Sequence, residues 1–147
     1  MIEVYTDGSC LGNPGTGGWA FQIFNEGTII NHFGYQLDTT NNQMELTAAI
    51  KALEFLQKES EIILFTDSTY VRNGITSWIV NWKKNNWKNS QRKDVKNKIL
   101  WEKLDVLNSR KNITWKWVKA HDINEHNNKV DLLAREAAEN LIKSSFD

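Results

Sequence analysis

Two aspartates each follow a threonine and close a short apolar run. Asp7 stands in Ile2-Glu3-Val4-Tyr5-Thr6-Asp7-Gly8-Ser9, and Asp67 in Ile62-Ile63-Leu64-Phe65-Thr66-Asp67-Ser68. Glu45 and Asp131 each fall in the first turns of a predicted helix. If the two apolar runs are adjacent parallel strands, both aspartates project into one crevice and the two helices can bring the other acids to it. Like charges brought together repel and raise one another's pKa values, so such a cluster needs a compensating cation. Oxygen ligands select Mg²⁺, with Mn²⁺ as a substitute. No set of Cys or His at zinc spacing competes. Each acid also has a plainer reading. Asp7 suits a turn, Asp67 a helix N-cap, and Glu45 and Asp131 the acid of a capping box or of a first helical turn. Taken together, those plainer readings predict no convergence.

The elements that must position these side chains can be read from periodicity. Residues 2–6 alternate as a half-buried strand. Gly18–Phe24 and Thr28–Leu37 read as two more strands, joined by a turn at Asn25-Glu26-Gly27, so the first three form an antiparallel meander. Thr39-Thr40-Asn41-Asn42 can cap a helix whose apolar face is Leu46, Ala49, Leu53 and Leu56. Glu61–Thr66 is nearly continuous in apolar residues, as expected of a central strand buried on both faces. Asp67-Ser68 opens a short helix ending near Gly74. Residues 76–88 and 94–108 read as helices, Ile113–Val118 as a strand, and a last helix begins near Asn128 with Val130, Leu133, Ala134, Ala137 and Leu141 as its stripe. A crossover helix between strands one and four makes them parallel neighbours. Ligands of such sheets sit beyond the carboxyl ends of the strands.

The 147 residues predict one domain, long enough to bury a sizeable core. No apolar run approaches the roughly 20 residues that a spanning helix needs, and MIEVYTDG lacks the basic and apolar regions of a signal peptide. Cys10 is the only cysteine, which excludes an internal disulfide framework and fits a reducing, cytoplasmic setting. Eighteen basic residues balance eighteen acidic ones, so attraction to a polyanion has to be local. Lys83, Lys84, Lys88, Arg92, Lys93, Lys96 and Lys98 crowd one stretch in which Asp94 is the only acid.

Five blocks together, TDGSCLGNPGTGG, TTNNQMELTAAIKAL, FTDSTYVRNGI, WIVNWKKNNWK and WVKAH…NNKVDLLAR, make the chain resemble bacterial-type ribonuclease HI in order and spacing over nearly its whole length. The resemblance implies an α/β fold of the ribonuclease H kind: a five-stranded mixed sheet in the order 3-2-1-4-5, flanked by helices. Residues 1–147 would be a single catalytic domain with a basic handle at about 76–98. The implied activity is hydrolysis of the RNA strand of RNA–DNA hybrids with two divalent ions, leaving 5′-phosphate and 3′-hydroxyl ends. The family's metal carboxylates fall on Asp7, Glu45, Asp67 and Asp131, the four already singled out.

Further roles rest on the resemblance. His121, ten residues before Asp131, matches the family's mobile catalytic histidine, although Lys119-Ala120-His121 replaces the usual Lys-Gly-His and the following loop has lost its glycine. His126 is expected to be a solvated loop residue. Cys10, Asn13, Asn41, Asn42, Gln43 and Glu45 would follow the minor groove of the hybrid, where the 2′-hydroxyl distinguishes RNA from DNA. Gln43 occupies a position that is commonly basic in relatives, and Thr69 one that often carries Gln. Thr40 and Asn81 would contact DNA phosphates, Trp78 would line the DNA channel, and Lys83, Lys84 and Lys88 would serve the handle. The other tryptophans of that stretch are expected to pack. The partner is then a hybrid duplex, with no membrane, and the protein a monomer. Two alternatives stay open: another nuclease or polynucleotidyl transferase on the same carboxylate scaffold, or a hybrid-binding module without catalysis. The intact carboxylate set opposes the second, and the segment facing the 2′-hydroxyl opposes the first.

Overall fold

A computed structural model describes residues 2–59, 61–118 and 125–141. Strands β1 (Ile2–Cys10), β2 (Gly15–Asn25) and β3 (Thr28–Thr39) form an antiparallel meander. Helix α1 (Asn41–Phe55) crosses over to β4 (Glu61–Thr66), which lies parallel to β1. Helix α2 (Thr69–Asn73), a wide π-helical turn (Gly74–Trp78) and α3 (Ile79–Lys84) run on as one helical stretch. Helix α4 (Lys98–Ser109), strand β5 (Asn112–Trp117) and helix α5 (Glu125–Asn140) complete the described chain. The sheet order is β3-β2-β1-β4-β5, as the resemblance implied, with β5 parallel to β4.

Helix α1 packs against one face of the sheet, over Val4, Phe21, Ile23, Ile62 and Leu64, with Trp101 and Leu104 of α4 behind it. It is therefore buried on nearly every side, and Met44 through Ile50 are all buried. The single apolar face at Leu46, Ala49, Leu53 and Leu56 understated this, because small residues such as Ala48 and Ala52 fill the side that periodicity leaves polar. Helix α5 covers the other face, where Val130 and Ala134 meet Tyr5 and Ala20. Each large side chain buried this way contributes roughly 1.5–3 kcal/mol. Among the described residues no helix is long and apolar enough to cross a membrane.

Several boundaries differ from expectation for identifiable reasons. β1 does not stop at Thr6. Its parallel ladder with β4 ends at the Thr6–Thr66 pair, but its antiparallel ladder with β2 runs on through Gly8–Trp19 to Cys10–Gly17. The glycine-rich segment is thus partly strand: Gly15 opens β2, and β3 continues to Thr39 to pair with it. The helix expected over 76–88 ends at Lys84, where Asn86 and Trp87 adopt left-handed backbone angles (φ 54° and 61°). The helix expected from 94 starts at Lys98, behind Asn97 at φ 61°. Helix α5 begins at Glu125, three residues before Asn128.

Candidate active site

Asp7 is the first residue of β1 beyond the parallel ladder, still held in the sheet by its pairing with Ala20. Asp67 is the first residue after β4. The two therefore stand side by side at the carboxyl end of the central strands, and the turn proposed for Asp7 does not form. Asp67 is not the cap of α2 either. Ser68 takes that place, its Oγ accepting from the Val71 N–H at 3.1 Å. On α1 the cap is Thr40, whose Oγ1 accepts from the Gln43 N–H at 3.2 Å. Gln43, not Glu45, thus occupies the capping-box position. Asp131 lies well inside α5, whose first-turn acid is Glu125. None of the four carboxylates has the capping or turn role that would explain it locally.

Gly8 brings Glu45 to Asp7. A Cβ at Gly8 would lie 2.3 Å from the Met44 carbonyl carbon and 2.4 Å from the Glu45 nitrogen, so only glycine lets α1 approach β1 this closely. Its N–H donates to Asp7 Oδ1 at 2.9 Å and to Glu45 Oε1 at 2.5 Å. Gly18 does the same service for α5: a Cβ there would sit 1.9 Å from the Ala134 carbonyl oxygen. Asp131 is placed by that close approach.

Asp7, Glu45 and Asp67 each offer a carboxylate oxygen, all within 4.8 Å of one another. They line a cleft of about 350 Å³ together with Asp131, Asn41, Asn42, Tyr70, Asn127 and Asn128. Asp7 is only 3% exposed and Glu45 7%. Burial, then the charges of Glu45 and Asp67, push the Asp7 carboxyl up to about 12. Burial is also the main cause that pushes Glu45 up to about 8, with Asp67 adding to it. Without a cation this pair holds protons at neutral pH. Asp7 Oδ2 is buried and has no hydrogen-bond partner among the described residues. An all-oxygen donor set with one unpartnered buried oxygen fits a hard divalent ion.

The expected substrate residues divide. Asn41 and Asn42 line the cleft, whereas Cys10, Asn13, Thr40 and Gln43 lie outside its lining. Asn13 Oδ1 instead accepts from the Asn41 N–H at 3.2 Å and steadies the start of α1. Gln43 turns inward: its Oε1 accepts from Thr39 Oγ1 and its Nε2 donates to Asn97 Oδ1 at 3.1 Å. Trp78 is 38% exposed and edge-on to Tyr70, while Trp82 and Trp87 pack toward Trp101 and the core, as expected. Asn81, Lys83, Lys84 and Lys88 are exposed. Lys83 pairs with Asp105 at 3.2 Å, and Lys88 and Lys98 both pair with Asp94. His121 lies outside the described residues. His126 is not a solvated loop residue. It sits on α5 against the Tyr5 and Phe24 rings, with Nδ1 3.1 Å from Gln22 Oε1. Asn127 and Tyr70 were missed. For Asn127 a signal existed: it stands four residues before Asp131, on the same helical face.

The RNase H family model matches residues 1–139. A ribonuclease H from Francisella tularensis subsp. novicida is 50% identical over 141 residues, spanning 96% of this chain and 93% of that protein. Among solved structures, LC9-RNase H1, a type 1 RNase H with the type 2 active-site motif, superposes with a TM-score of 0.86 at 27% identity, covering 98% of this chain and 74% of that one. LC11-RNase H1 in complex with RNA/DNA hybrid gives a TM-score of 0.69 at 27% identity, covering 95% and 98%. The sheet order, the carboxylate crevice at the ends of β1 and β4 and these matches agree, and the chain belongs to the ribonuclease H family.

Proposed function

We propose that this ribonuclease H hydrolyses the RNA strand of RNA–DNA hybrids by two-metal-ion catalysis, using Mg²⁺ or, in its place, Mn²⁺, and leaves 5′-phosphate and 3′-hydroxyl ends. The observation that carries the reading is the crowding of three carboxylates around an unpartnered buried oxygen of Asp7. Asp7, Glu45, Asp67 and Asp131 would hold the ions. When bound, the ions would lower the pKa of the attacking water and offset charge on the leaving oxygen. The protein's own part is positional. The pairing of β1 with β2 fixes Asp7, and the Gly8 N–H fixes Glu45 beside it. Asp7 and Glu45, both raised by burial, would have to be ionised to hold the ions, so metal binding would be coupled to pH.

Asn41 and Asn42, exposed at the start of α1 and lining the cleft, are the side chains best placed to read a 2′-hydroxyl. Cys10 and Asn13 support that rim from outside, and Gln43 contributes through the segment it braces. Thr40 and Asn81 are assigned to DNA phosphates, Trp78 to stacking in the DNA channel, and Lys83, Lys84 and Lys88 to the handle. His121 is assigned to proton transfer or product release. We place the enzyme in the cytoplasm as a monomer, consistent with its single cysteine. A strand-labelled hybrid, matched against all-DNA and all-RNA duplexes with and without Mg²⁺, tests the reading. RNA-strand cleavage confined to the hybrid and dependent on metal is expected; metal-independent cleavage, or cleavage of DNA alone, would overturn it.

A further inference from the structure

Among the described residues, Asp131 differs from the other three carboxylates in having a cation of the protein's own. Its Oδ2 accepts from the Arg135 guanidinium at 2.6 Å, one helical turn along α5. Asp131 lines the cleft yet lies outside the group formed by Asp7, Glu45 and Asp67. Asp131 thus stands between a fixed guanidinium on one side and a site that calls for cations on the other. Arg135 is half exposed, so it is not a packing element of the core.

We propose that Arg135 is a positioning residue that acts through Asp131: it holds this carboxylate toward the mouth of the cleft and weakens the binding of the ion that Asp131 ligates. This rests on the reading of Asp131 as a metal ligand. Two effects work in the same direction. The guanidinium occupies one carboxylate oxygen through a charge-assisted hydrogen bond. Its positive charge also offsets the negative charge that Asp131 would present to a divalent ion. A weakly held ion is the one that can leave when the cleaved strand leaves. The pairing therefore sets how much metal the enzyme needs and how readily the ion exchanges.

Calorimetric titration of the full chain with Mn²⁺ alone tests this without any turnover. Arg135→Ala and Arg135→Gln are expected to tighten binding of the weaker ion by about three- to tenfold, while Arg135→Lys, which keeps the charge, stays near the parent value. In an Asp131→Asn background Arg135→Gln should change nothing. Unchanged or weaker Mn²⁺ binding in both neutral variants overturns the proposal, as does an equal tightening in the Asp131→Asn background. Should Arg135→Ala not fold, Arg135→Gln carries the comparison by itself. If Asp131→Asn alone leaves Mn²⁺ binding untouched, Asp131 is no ligand and that reading fails first, which separates the two failures.

Discussion

Asp7 is a carboxylate buried against two others, and this conflict makes it testable. Asp7→Asn keeps the side-chain volume and removes the charge the site needs. Turnover should fall about a hundredfold or more, because on the proposed function a positioned metal ligand is lost. The metal-free protein should meanwhile gain about 1–2 kcal/mol, since folding no longer requires a buried acid to keep a proton that the unfolded chain releases. Hybrid cleavage and thermal unfolding in chelator, measured on the same preparation, check both. Loss of activity together with loss of stability would mark Asp7 as a structural residue. The histidines offer the complementary contrast. His126 packs on Tyr5 and Phe24 and reaches Gln22, so His126→Ala should cost about 1–2 kcal/mol and leave kcat close to the parent. His121→Ala should do the reverse, lowering kcat with little change in melting temperature or hybrid affinity. A His126→Ala enzyme that is stable but slow would reassign the proton-transfer role.

At the scale of elements, the site exists because two helices are allowed unusually close to the sheet. Gly8→Ala forces the N-terminal part of α1 away from β1, since the obstructing atoms are backbone. It should cost about 2–4 kcal/mol and misplace Glu45, so activity should fall more steeply than the folded fraction. A circular-dichroism melt beside a cleavage assay separates the two. This close approach was not legible in the sequence, because a Thr-Asp-Gly string reads equally as a turn. The end of β4 and the helical spacing around Glu45 and Asp131 were legible, as they depend on local periodicity. The start of α4 was not, because left-handed Asn97 is held by contacts to Gln43 and Tyr70 that are distant in sequence. The handle was read as a basic cluster with one acid, but the fold returns Asp105 to Lys83 and shares Asp94 between Lys88 and Lys98. Exposed pairs of this kind are weak, yet each must be broken before its lysine can serve a phosphate. Replacing Lys84 and Lys96 by Ala should therefore raise KM and flatten the salt dependence more than replacing Lys83 and Lys88, with kcat retained. Each lost phosphate contact should reduce the slope of log affinity against log salt by about 0.9. Equal effects from the two sets would show that the acidic partners do not matter.

Across the whole molecule, the fold accepts a destabilised site that a bound cation would relieve, and pH exposes that arrangement. Asp7 and Glu45 are raised above their ordinary values of 3.8 and 4.5, to about 12 and about 8. In the metal-free protein they stay protonated where the unfolded chain has already released its protons. The native state then binds more protons than the unfolded one, so stability falls as pH rises. Glu45's contribution is complete below about pH 4.5 and is lost by about pH 8; Asp7's decline continues beyond that. Two other groups do not obscure this. Asp94, lowered by its bond to Lys88, acts only below its ordinary 3.8, and His32, lowered by burial, adds stability only as pH rises toward 6.5. Between about pH 6.5 and 8 the melting temperature in chelator should therefore fall, at a free-energy slope of about 1.4 kcal/mol per pH unit for each proton that the native state keeps and the unfolded chain has released. Saturating Mg²⁺ binds the ionised carboxylates and favours their proton release, so it should raise the melting temperature more at pH 8 than at pH 6.5 and flatten or reverse the trend. Calorimetric scans across that window, with chelator and with Mg²⁺, give both curves. A melting temperature in chelator that rises through the window would mean that Asp7 and Glu45 are ionised without metal, and that the cleft holds its charges by some means other than a bound cation.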